Sequence, residues 1–110
     1  MDDKIRLSHQ SLRVLRVFLD ALSENVRAEL AGADLMRAIR LSSGTLYPIL
    51  LRFERQELLK SRWEKERPEE LGRPRRRFYR MTSAGVKVAR ESLGDVYSIQ
   101  IELELREDLV

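Results

Sequence analysis

Apolar positions along this chain keep a helical spacing, switch to alternation, and then return to helical spacing. Leu12, Leu15, Phe18, Leu19 and Leu22 recur every three or four residues, which predicts a helix over 7–25. Ser8 is its candidate cap, and Ser23-Glu24-Asn25 its stop. Glu29-Leu30-Ala31-Gly32 breaks the pattern, and Leu35, Met36 and Ile39 then predict a shorter helix over 33–40. Leu41-Ser42-Ser43 connects it tightly to a third helix, so the pair reads as a helix-turn-helix. At about 100° per residue, Leu46, Ile49, Leu50 and Phe53 of that third helix share one side, while Thr45, Pro48, Arg52 and Arg55 share the other. Ser42 or Ser43 is placed to cap it with a side-chain oxygen. Pro48 inside a helix costs about 3 kcal/mol, and Gly44, four residues back, reads as the position that relieves its ring.

The period then becomes two. Leu59, Ser61 and Trp63 alternate with Lys60, Arg62 and Glu64. Arg67 to Pro74 has the composition of a turn. Beyond it, Arg77, Tyr79 and Met81 alternate with Arg76, Phe78 and Arg80. These segments predict a two-stranded hairpin, which needs a helical layer to pack on, through Leu59, Tyr79 and Met81. Thr82 caps a last helix carrying Val86, Val88, Ala89 and Leu93, with an interruption at Gly94. From Val96 to Leu105 the chain fits a strand by alternation and a helix by composition. The helix is preferred, with apolar stripes Val96/Ile99/Leu103 and Tyr97/Ile101/Leu105. The fold class expected is mainly α with a small β-hairpin.

Composition narrows the chemistry. The chain has 110 residues, enough for one domain, no cysteine and a single histidine, His9. Disulfides, thiolate metal sites and an imidazole cluster within one protomer are therefore excluded. No nucleophile–base–acid set and no glycine-rich phosphate loop can be assembled, so neither an enzyme nor a cofactor is expected. There is no apolar run long enough to span a membrane, and the N-terminus lacks the apolar stretch of a secretory signal; a cytoplasmic protein is expected. The net charge of +3 hides an asymmetry. Residues 52–80 hold eleven Lys/Arg against six Glu, whereas residues 91–110 hold one Arg against six acids. A basic middle and an acidic end suggest a surface that faces a polyanion.

The residues Ser43-Gly44-Thr45-Leu46-Tyr47-Pro48 with Leu50 and Phe53, then Leu58-Leu59, then Gly72-Arg73-Pro74-Arg75-Arg76 through Tyr79-Arg80-Met81-Thr82 and Gly85, carry a resemblance. In that order, over about residues 8–93, the chain resembles the PadR-like family of bacterial transcriptional regulators. It departs at Glu57, where the family usually carries glycine after the third helix. The resemblance implies a winged helix-turn-helix DNA-binding domain over 1–82 and a long C-terminal dimerisation helix over 83–110. It implies a homodimeric repressor on a two-fold operator, with a recognition helix over 43–56 and an arginine-rich wing over 66–76. Ser43, Thr45, Tyr47, Pro48 and Arg52 inherit the helix contacts, Tyr47 to phosphate, and Arg73, Arg75 and Arg76 the wing contacts. Leu12, Leu15, Leu93, Val96, Tyr97 and Ile101 fall where the dimer interface is expected. Many members answer to a small aromatic or drug-like ligand between subunits, so a small-molecule effector is a further expected partner, its identity not carried by these motifs.

Residue chemistry agrees with those roles. Gly44 and Thr45 are small enough for close approach to base edges, and Arg52 or Arg55 can pair with guanine or phosphate. Tyr47, at the edge of the buried face, can pack its ring and extend its hydroxyl. Wing arginines suit the backbone or a narrow minor groove. Two other classes use the same features: a winged-helix module gripping an acidic protein partner, and a ligand sensor with Phe18 and Tyr97 lining a pocket.

Overall fold

A computed structural model describes residues 7–94. The elements run α1 (His9–Glu24), β1 (Leu30–Ala31), α2 (Gly32–Ile39), α3 (Ser43–Arg55), β2 (Leu59–Trp63), α4 (Pro68–Leu71) and β3 (Arg77–Met81). A last helix, α5, covers 83–94 of the described residues. The strands form one antiparallel sheet in the order β1-β3-β2. Leu59 pairs with Met81, Ser61 with Tyr79 and Trp63 with Arg77, so these six share one sheet face.

That face and the helices enclose a single core. Leu15 and Phe18 of α1, Leu35 and Ile39 of α2, and Leu46, Leu50 and Phe53 of α3 meet Leu59, Tyr79 and Met81 of the sheet. Ala89 and Leu93 of α5 join the same cluster. Burial of such side chains stabilises by about 1.5–3 kcal/mol each. Local chemistry sets the element ends. Ser8 caps α1 by accepting the Ser11 N–H at 3.1 Å, and the Arg13 guanidinium donates to the Ile39 carbonyl at the end of α2. Thr82 caps α5 by accepting the Gly85 N–H at 3.0 Å.

Several expectations need correction. Ser42 sits at the N-cap of α3, but its hydroxyl donates to Thr45 Oγ1 at 3.2 Å and accepts no backbone N–H. A Cβ at Gly44 would meet nothing within 4 Å beyond the helix's own backbone, so no packed neighbour requires glycine there. The hairpin gains a third strand, because Leu30 and Ala31 occupy the free edge of β3 opposite Tyr79 and Phe78. The turn region holds the short α4, whose end is set by Gly72 at φ 67°. Of the residues expected at the dimer interface, Leu15 and Leu93 are 0% and 4% exposed in the protomer core, which removes them from any surface offered to a second copy. Leu12 is half-buried, and Val96, Tyr97 and Ile101 lie outside the described residues.

Glu57 stands where the resemblance implies glycine, and its backbone takes a conformation that favours glycine. The Leu58 N–H donates to the Phe53 carbonyl at 2.8 Å and the Glu57 N–H to the Glu54 carbonyl at 3.0 Å. This is the bond pair of a Schellman ending, and it needs a left-handed residue, which Glu57 supplies at φ 60°. A Cβ in that region costs roughly 1–2 kcal/mol. Glu57→Gly is therefore expected to stabilise the fold by about 1 kcal/mol, raising the thermal midpoint by about 5 °C in a melt.

Candidate nucleic-acid interface

Helix α3 offers an exposed ridge. Leu46, Ile49, Leu50 and Phe53 turn inward, while Ser43, Gly44, Thr45, Pro48, Arg52 and Arg55 are exposed. Leu51 belongs to the ridge as well, at 50% exposure. Periodicity does not single Leu51 out, although its spacing of four from Tyr47 and three from Pro48 places it beside them. The open space over Gly44 also lies on this ridge. An apolar leucine and a bare glycine among small polar and cationic residues leave a surface that can be approached closely.

Tyr47 connects the ridge to α2. It is 44% exposed, but its hydroxyl is aimed at the neighbouring helix. A Cβ on Gly32 would lie 2.4 Å from Tyr47 Oη. Glycine at the first position of α2 is therefore what admits the ring. No side chain caps α2. Asp34 instead accepts the Ala31 N–H at 3.0 Å and pairs with Arg37 at 2.6 Å.

The wing is shaped by Glu64. Its carboxylate accepts both Arg73 guanidinium donors, at 2.6 and 3.1 Å, and the Arg76 N–H at 2.7 Å. The backbone closes the same loop through Glu64 N–H to the Arg76 carbonyl at 3.0 Å. Arg73 also reaches the Pro74 carbonyl, and Arg75 Nε donates to the Glu66 carbonyl at 2.8 Å. Of the predicted wing contacts, half-buried Arg73 is thus committed inside the wing, whereas Arg75 and Arg76 are exposed. The Arg73 hydrogen bond, against the opposing effect of burial, holds the Glu64 carboxyl below its ordinary pKa, and the Arg76 N–H adds to this. With a lowered folded pKa, the clasp's stabilisation is present above the unfolded carboxyl pKa and is lost as pH falls through the folded one. Arg62 with Glu29 and Arg67 with Glu70 form further pairs, so part of the basic run is neutralised within the chain.

Wing and ridge meet at Arg77. Its Nε donates to Ser61 Oγ at 2.8 Å and its Nη2 to Glu54 Oε2 of α3 at 3.2 Å. Its guanidinium lies 5.5 Å from the Trp63 ring centre and 5.8 Å from that of Tyr79. Beside this junction is an open cleft of about 430 Å³ between the start of α2 and the wing root. Gly32, Met36, Tyr47, Trp63, Arg75 and Arg76 line it, and no acidic residue does. The predicted helix and wing residues thus share one basic cleft through Tyr47, Arg75 and Arg76. Trp63 is an addition to them that the chain's alternation does not mark as a contact.

Among the described residues, no group of His, Cys, Asp and Glu could hold a metal ion, and no helix is long and apolar enough to cross a membrane. Residues 26–91 match the model of the transcriptional regulator PadR-like family. Among solved structures, the fold is similar to a PadR family transcriptional regulator from Eggerthella lenta, at 24% identity over 92% of this chain and 89% of that one, with a TM-score of 0.58. It is similar to a PadR-like transcription factor from Bacteroides fragilis at 20% identity, with the same coverages and a TM-score of 0.58. The Staphylococcus aureus MepR–DNA complex matches at 14% identity over 94% of this chain and 75% of that one, with a TM-score of 0.64. At these identities the likeness is one of fold. No curated protein matches the sequence.

Proposed function

The chain belongs to the PadR-like family of transcriptional regulators, and from that premise we propose that it binds duplex DNA as a homodimer and represses transcription from a two-fold operator. The observation that carries the reading is the surface joining the exposed ridge of α3 to a cleft lined by arginines and hydrogen-bond donors, with no carboxylate in its lining. In this arrangement α3 enters the major groove. Ser43, Thr45 and Pro48 face base edges and sugar, Leu51 meets a thymine methyl, and Arg52 and Arg55 pair with guanine or phosphate. Tyr47 and the uncapped first turn of α2 receive a backbone phosphate, and Arg75 and Arg76 hold the flanking strand. Arg73 acts through Glu64 as the residue that shapes the wing. The similar fold of MepR, solved with DNA, supports the docking mode.

Residues 1–82 supply the DNA-binding domain and residues 83–110 the dimerisation segment, although α5 begins inside the shared core through Ala89 and Leu93. Pairing sets two ridges about 34 Å apart, one turn of duplex. Titration of labelled duplex DNA at several salt concentrations tests the reading. Affinity that falls steeply with salt is expected, together with a dimer in sedimentation. Salt-dependent capture of acidic protein without duplex binding would favour the protein-interaction alternative.

Gly44→Ala separates fold from function. Alanine fills open space and is the better helix former, so stability is expected to hold or rise. Its methyl would stand between the ridge and the groove floor, so duplex affinity is expected to fall about tenfold. A melt and a DNA titration on the same variant check both halves.

A further inference from the structure

We infer that Trp63 is a DNA-contacting residue, whose indole ring packs on the deoxyribose of the backbone stretch whose phosphate Tyr47 receives. The inference rests on the DNA-binding reading above and assigns a contact beyond it. Trp63 is 56% exposed, an unusual position for the largest apolar side chain. Its alternation explains where it lies. Leu59 and Ser61 precede it on the same face of β2, and Leu59 is buried on the helices. Two strand steps farther out, the same face has passed the edge of the core, so the ring overhangs the cleft beside Tyr47 and Arg76.

The ring is held in place before any partner arrives. Arg77 stacks near it, 5.5 Å from the ring centre, and is itself fixed by Ser61 and by Glu54 of the recognition helix. The pairing with Arg77 at the end of β2 also sets the strand register there. A preorganised aromatic gives up little rotamer freedom on binding. The cleft around it offers cations and donors but no carboxylate. Its occupant should therefore combine anionic groups with a carbon-rich surface, and a sugar–phosphate backbone does so at every step. Because indole is uncharged, its contact adds affinity without releasing a counterion.

Trp63 is the only tryptophan in the chain, so its emission reports on this one position. The test titrates the full-length protein with a labelled mixed-sequence duplex at low salt, following DNA anisotropy and tryptophan emission together. The expected result is an emission change and reduced acrylamide quenching that follow the anisotropy isotherm. Trp63→Ala should weaken binding about tenfold at every salt concentration, leaving the slope of log affinity against log salt unchanged. Trp63→Phe should recover most of that loss. Duplex binding with unaltered emission and quenching overturns the assignment. So does an emission change when Trp63→Ala binds like the parent, which would mark a bystander. If the parent protein binds no duplex even at low salt, the DNA reading fails first and the Trp63 contact with it.

Discussion

Replacing Gly85 by alanine is expected to destabilise the fold by about 3 kcal/mol or more, with loss of the cooperative transition in urea at concentrations the parent tolerates. Gly85 is buried at the third position of α5. An added Cβ would lie 2.2 Å from the Leu58 carbonyl oxygen, 2.8 Å from Met81 Cγ and 3.1 Å from the Leu58 carbonyl carbon. The methionine could move aside, but the carbonyl cannot. It accepts the Thr82 N–H at 3.0 Å, the Thr82 hydroxyl lies between it at 3.1 Å and the Glu57 carbonyl at 2.7 Å, and the Leu58 N–H is bound to the Phe53 carbonyl. Relief would need α5 to back away from the exit of α3, breaking the Thr82 cap and withdrawing Ala89 and Leu93 from the core. Duplex binding is expected to fail along with stability, because this joint fixes the end of α3, the helix proposed to enter the groove. Denaturation curves for Gly85→Ala and Gly44→Ala, compared side by side, measure the contrast between a glycine against a backbone carbonyl and one facing open space. A Gly85→Ala midpoint within experimental error of the parent would refute the close approach.

Periodicity made the helices legible because a buried face is a property of one segment. The four apolar residues of α3 assigned inward are all buried, and Leu59, Tyr79 and Met81 anchor the sheet as their alternation suggests. Features requiring two distant segments were not legible. Strand β1 is two residues long, too short for a pattern, and exists because the edge of β3 is there to pair with. The aim of the Tyr47 hydroxyl depends on a glycine in a different helix. Leu15 and Leu93 read as apolar, but whether an apolar residue faces its own core or a second copy is not written in its spacing. Trp63 shows the same limit for a strand: alternation gives its side of the sheet but not how far the helices extend beneath it. At Glu57 the residue type gave no sign of the backbone it adopts: the helix ends in the left-handed region there, and a side chain bears the strain.

The wing arginines are alike in composition and unlike in position, and that difference sets the second large effect. Arg75→Ala with Arg76→Ala is expected to weaken duplex binding about tenfold for each arginine removed, and to reduce the salt slope by about 0.9 for each phosphate no longer neutralised. Stability should change little, since both residues are exposed. Arg73→Ala should also weaken binding, by another route. Removing its guanidinium strips Glu64 of both side-chain hydrogen bonds from Arg73, leaving a carboxylate at the root of the wing where the duplex is proposed to lie. The weakening then has two sources, a loosened loop and a new repulsion, and the second can be removed separately. Adding Glu64→Gln to Arg73→Ala takes away the unpaired negative charge while keeping an acceptor for the Arg76 N–H, so part of the affinity should return. The same Glu64→Gln added to the Arg75/Arg76 pair should restore nothing, because the missing groups there are the ones proposed to grip the phosphates. Salt titrations of the four variants decide between these roles. Equal rescue in both backgrounds, or in neither, would mean that Arg73 touches DNA in the same way as its neighbours and does not act through Glu64.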